Sequence, residues 1–166
     1  MSRNKHPHFL DVFSERSLII YRLWMIIDKL QYNTRGRKVL TLDKLCIFDV
    51  IISDNNITNS VCRFFNPSID SVINDNDDIL INSSQLLRNV MKTGNVRERV
   101  IELYMLEMVD IEIIKGELYI SLKNKLDIRI KNDLVDDWEM NLQKSKSLVA
   151  KSFNQLIESL IGVLYE

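Results

Sequence analysis

The side chains most capable of chemistry here are His6, His8, Cys46 and Cys62, which are all the histidines and cysteines of the 166-residue chain. Metal binding or nucleophilic catalysis would need them gathered at defined spacing on rigid elements. They are not spaced that way. The histidines bracket Pro7 within the first eight residues, where a chain end is ordinarily only lightly docked. Two distant cysteines supply neither a ligand set nor a disulfide framework, and they read as thiols in a reducing cytoplasm. Arg35-Gly36-Arg37 and Thr93-Gly94-Asn95 contain one glycine each, too few for a phosphate-cradling loop. No serine stands in a nucleophile elbow.

The carboxylates are plentiful but differently placed. Asp75, Asp77 and Asp78 resemble a calcium ladder only in part, because the central glycine and the closing glutamate are missing. They read as a solvated loop. Asp136, Asp137 and Glu139 suit the start of a helix, where the dipole favours negative charge. Asp28 and Asp49 differ because each interrupts an apolar helical run. Two readings of them stand side by side: a structural role, as an ion pair or an exposed stripe, and contact with a partner. The expectation is therefore a chain with no catalytic residues, no cofactor, no metal and no small-molecule substrate.

Few glycines and prolines (four and two) imply long elements and few loops. After a tail at 1–8, apolar residues from Phe13 to Leu30, Trp24 among them, occupy nearly every face of a helix expected over 9–31. Such a helix is buried centrally or covered by another subunit. A basic turn at 33–38 follows. Thr41 then caps a helix over 42–53, with Lys44 where a capping-box acid would stand. Asp54, Asn55 and Asn56 end it, and a third helix over 57–65 completes an N-terminal helical region, 9–65. The next stretch, 66–78, with Pro67, is the best candidate loop.

A winged-helix-like region is expected over 82–122. Its parts are a supporting helix (82–91), a break at Gly94, a helix in the recognition position (96–109) capped by Asn95, and a hairpin wing. Ile111, Ile113, Leu118, Ile120 and Leu122 alternate with polar residues around Lys115-Gly116, the period of a β-hairpin. Helices over 134–142 and 148–164 close the chain, within a C-terminal region 133–166. The stripe Val149, Phe153, Leu156, Leu160 and Leu164 either seals the core or docks a partner, with Phe153, Leu160 and Leu164 as the contacts in the second case. The fold class expected is mainly α (α+β), in one compact domain.

A winged helix suggests DNA, and a net charge of −1 offers no global attraction to it. Glu98, Glu102 and Glu107 in the recognition position, with Glu112 and Glu117 on the wing, would repel phosphate. Sequence-specific groove reading is not expected. Non-specific contact has two candidate patches, Arg35, Arg37 and Lys38 in the turn, and Arg88 and Lys92 beside the recognition helix.

The entry Glu15-Arg16-Ser17-Leu18 into a long apolar helix is similar to middle components of bacterial ABC-three-component systems, the group to which the Lamassu defence systems belong. So is the second helix, Leu42-Asp43-Lys44-Leu45-Cys46-Ile47-Phe48-Asp49-Val50-Ile51-Ile52-Ser53. The likeness covers mainly residues 8–65 and rests on helix character and length. It implies a cytoplasmic, non-catalytic winged-helix subunit of an antiphage or antiplasmid complex. Its partners would be an SMC-like ATPase subunit and an effector subunit, such as a nuclease, encoded in the same operon. It implies no catalytic residues. No membrane association is expected from the residues themselves, because the most apolar run, Leu18 to Ile27, is interrupted by Arg22 and is too short to cross a bilayer. The rival expectations are a free-standing winged-helix DNA-binding transcription regulator and, more remotely, a small enzyme of another type.

Overall fold

The computed structural model describes residues 16–67, 93–124 and 130–165. The expected tail, the start of the first helix, the acidic loop and the supporting helix at 82–91 lie outside the described residues, as do His6, His8, Arg88 and Lys92.

The fold is mainly helical with one antiparallel hairpin. Helix α1 (Arg16–Leu30) is buried on almost all sides between Arg22 and Ile27, as an all-round apolar helix requires. It packs against α2 (Leu42–Ile52), α4 (Thr93–Met105), β2 (Glu117–Leu122) and α5 (Asp133–Ser145). Helix α2 is buried without interruption from Leu45 to Ile52, so the α1–α2 pair forms the centre of the core.

Local chemistry fixes the ends. The Thr41 hydroxyl accepts the Lys44 amide at 3.3 Å, capping α2 as expected. Asp54 does not terminate α2 but caps α3 (Asn55–Phe65), its carboxylate accepting the amides of Asn56 and Ile57. The last α2 carbonyls are buried and would be orphaned. Thr58 Oγ1 donates to Ile51 O at 2.6 Å, and Asn141 Nδ2 donates to Ile52 O at 3.1 Å.

Between α1 and α2, the Asn33 carboxamide oxygen accepts the amides of Arg35 and Arg37, and Gly36 takes a φ of 72°. This is the expected basic turn. The chain then runs along the free edge of β2, where Ile120 N donates to Leu40 O at 3.1 Å.

The hairpin pairs β1 (Val109–Ile114) with β2, Ile111 opposite Ile120 and Ile113 opposite Leu118. Lys115 (φ 52°) and Gly116 (φ 84°) make its two-residue turn, both in the left-handed region that matches strand twist. The expected helix over 96–109 begins at Thr93, so Gly94 and Asn95 lie inside it and are neither its break nor its cap, and it stops at Met105, short of the strand that starts at Val109. Met108 N donates to Leu103 O and Glu107 N to Tyr104 O, with Glu107 at φ 56°. That double bond pattern closes the helix, ordinarily on a glycine.

Asn132 caps α5, and Asp133 and Asp136 lie in its first turn; Asp137 and Glu139, expected at the helix start with Asp136, fall beyond that turn. The helix expected over 148–164 is split into a 3-10 turn (Lys146–Ala150) and α6 (Phe153–Tyr165). Ser152 and Gln155 form a reciprocal capping box that starts α6: Ser152 Oγ accepts Gln155 N, and Gln155 Oε1 accepts Ser152 N. A Cβ on Gly162 would lie 3.3 Å from the Phe64 ring, so glycine allows α6 to sit close against α3.

Candidate functional site

Helix α4 occupies the position before the hairpin that a winged helix uses for recognition. Val96, Val100 and Leu103 turn inward and are buried. On another face Ile101 (56% exposed), Tyr104 (53%) and Met105 (76%) follow one another at helical spacing, and Leu106 (64%) extends them past the helix end. The helix is apolar on two faces, and the core covers one.

The charges around this strip are spoken for within the chain. Arg97 pairs with Asp43 on α2 at 3.0 Å, and Arg99 with Glu102 at 2.7 Å. Arg16 at the start of α1 also grips Glu102. The hydrogen bond from Arg99, joined by that from Arg16, holds the Glu102 carboxyl below the usual carboxylate range. Lys123 meets Glu107 at 3.3 Å, and Lys38 meets Glu112 at 3.0 Å. Cations already facing carboxylates are poor ligands for phosphate, since each new contact must break an existing one.

A second apolar feature is the hairpin tip. The core-facing pairs Val109–Leu122 and Ile111–Ile120 continue outward as Ile113–Leu118, with Ile113 73% exposed. Beside the end of α4 lies an open groove of about 590 Å³, lined by Arg16, Ser17, Ile20, Tyr21, Trp24, Met108 and Ile130. Trp24 offers it little surface, being 9% exposed and stacked on Tyr21.

Several residues considered as partner contacts lie elsewhere. Asp49 is interior and ion-paired with Arg22, so the structural reading of it stands and the contact reading is withdrawn. Leu160 is buried with Val149, Leu156 and Val163, which makes α6 a core-sealing helix on that stripe. Phe153 is exposed, and the side chain of Leu164 is outside the described residues. Asp28 pairs with its neighbour Lys29 at 3.0 Å. Among the DNA candidates, Arg35 and Arg37 are exposed in their turn with no carboxylate partner among the described residues, whereas Lys38 is engaged by Glu112. The exposed strip of Ile101, Tyr104 and Met105 was not anticipated from sequence. Its signal in the sequence is two apolar stripes on one short helix, interrupted by Glu98 and Glu102.

No three His, Cys, Asp or Glu side chains converge as metal ligands among the described residues. No described helix is long and apolar enough to cross a membrane. Comparison with protein-family models, curated proteins and solved structures gives no match.

Proposed function

We propose that this chain is a non-catalytic accessory subunit that bridges an SMC-like ATPase and an effector, such as a nuclease, in a cytoplasmic antiphage or antiplasmid complex. One observation carries the protein-binding part of the reading: the outward face of α4 is apolar, and the arginines beside it are already paired with carboxylates of the same chain. A groove-reading helix presents free donors to base edges. A protein-docking helix presents apolar anchors at helical spacing. The resemblance of residues 8–65 to the middle components supplies the identity of the complex. DNA contact is then secondary, weak and salt-sensitive, through Arg35 and Arg37.

Co-expression with the products of the neighbouring genes tests this. A stable complex containing a large coiled-coil ATPase is the expected result. Tight, sequence-selective binding of the isolated chain to one duplex at physiological salt would instead establish a transcription regulator.

A further inference from the structure

On the side of the molecule formed by α3, the 3-10 turn and α6, an open cleft of about 570 Å³ is lined by Cys62, Phe65, Asn66, Lys144, Ser147, Leu148, Ala150, Lys151 and Gln155. Among the described residues two lysines line it and no carboxylate does. Neither lysine is ion-paired among the described residues. Lys144 Nζ donates to the amide oxygen of Asn59 at 3.0 Å, and Lys151 Nζ lies 5.0 Å from the centre of the Phe65 ring. Both interactions hold an ammonium in place without neutralising it. The Cys62 thiol in the wall is pushed up by burial against the opposing pull of Lys144, and so stays neutral. Among the described residues the cleft therefore carries two positive charges that no carboxylate faces, over a partly apolar floor of Phe65 and Leu148.

The donor set narrows the ligand. Phosphate sites are typically built from free backbone amides at a helix start, or from arginine forks. Here a capping box occupies two of the amides around the start of α6, Ser152 N donating to Gln155 Oε1 and Gln155 N to Ser152 Oγ. No arginine lines the cleft among the described residues. Separate point charges beside apolar side chains suit an extended chain that brings carboxylates to the lysines and an apolar residue to the floor.

We infer that this cleft is a docking site for an acidic peptide segment of a partner protein, one that alternates carboxylates with apolar residues. It lies apart from the α4 strip and does not depend on it, so the two surfaces fail or succeed separately.

The test titrates the full-length chain, followed by NMR, with four probes. They are a short peptide of alternating Asp/Glu and Leu, its lysine-for-acid counterpart, inorganic pyrophosphate, and a short DNA duplex. The acidic peptide should move the amide signals of Phe65, Leu148 and Gln155, and the lysine peptide should not. Affinity for the acidic peptide should fall about tenfold in the Lys144→Glu/Lys151→Glu variant, and by a smaller factor in Lys144→Gln/Lys151→Gln. The neutral variant guards against a fold disturbed by charge reversal, and both are checked by thermal melting. The inference is overturned if the acidic peptide leaves these amides unmoved, or if it binds a folded variant as well as the natural chain. It is equally overturned if pyrophosphate or the duplex occupies the cleft and the peptide does not.

Discussion

Arg22 of α1 and Asp49 of α2 are joined by two parallel hydrogen bonds inside the core, Nε to Oδ1 at 2.7 Å and Nη2 to Oδ2 at 3.1 Å. The guanidinium also lies 5.0 Å from the centre of the Trp138 ring on α5, so one cation ties three helices. Removing either partner strands the other charge in the interior. Asp49→Ala or Arg22→Ala is expected to cost about 3–5 kcal/mol. The joint replacement Arg22→Met/Asp49→Leu removes both charges together and should recover most of that loss. Urea denaturation of the three variants measures it, and equal losses in all three would show that the pair itself contributes net stability.

That pair also shows how far the sequence could be read. The apolar character of α1, the Thr41 cap, the Asn33 turn and the Lys115-Gly116 hairpin are all local, set by residue type and spacing, and each is where the sequence puts it. Asp49 was visible as an acid in an apolar run, but its partner is 27 positions away and nothing local pairs them. The stop of α4 was missed because glutamate stands where glycine usually marks such an end. The break before α6 was missed because Leu148 and Val149 keep the apolar period through a turn of different geometry. The α4 strip was passed over for a related reason. Spacing shows that Ile101, Tyr104 and Met105 share a face, and only the packed fold shows that this face is left uncovered.

Glu107 occupies the left-handed region at φ 56°, where a side chain costs about 1 kcal/mol relative to glycine. Glu107→Gly should therefore stabilise the chain by about 0.5–1 kcal/mol, the freer unfolded chain offsetting part of the gain. Glu107→Ala keeps the strain and should give no gain. The shift of the denaturation midpoint between the two variants is the measurement.

Cys46, on α2 beneath Arg97, has its thiol pushed up to about 11, chiefly by burial. The folded chain keeps this proton after the unfolded chain has begun to lose it near pH 9. The stabilising effect is full below that pH and is lost as pH rises towards 11, at most roughly 2–3 kcal/mol. Cys46→Ala should flatten the fall in stability between those limits. An identical pH profile for both proteins would remove the assignment. In the native protein, a thiol reagent at mildly alkaline pH should label the half-buried Cys62 well before Cys46.

The outward face of α4 bears most directly on the proposed role. Ile101→Glu/Met105→Glu alters two side chains that are more than half exposed, so thermal melting should stay near that of the natural chain. Co-purification of the double variant with the co-expressed SMC-like ATPase and effector is the decisive measurement. A drop of about tenfold or more in recovered complex, with folding intact, is the result predicted for anchors lost from the centre of an interface. Recovery of the whole complex at the natural level would contradict the assignment of this helix as the docking surface.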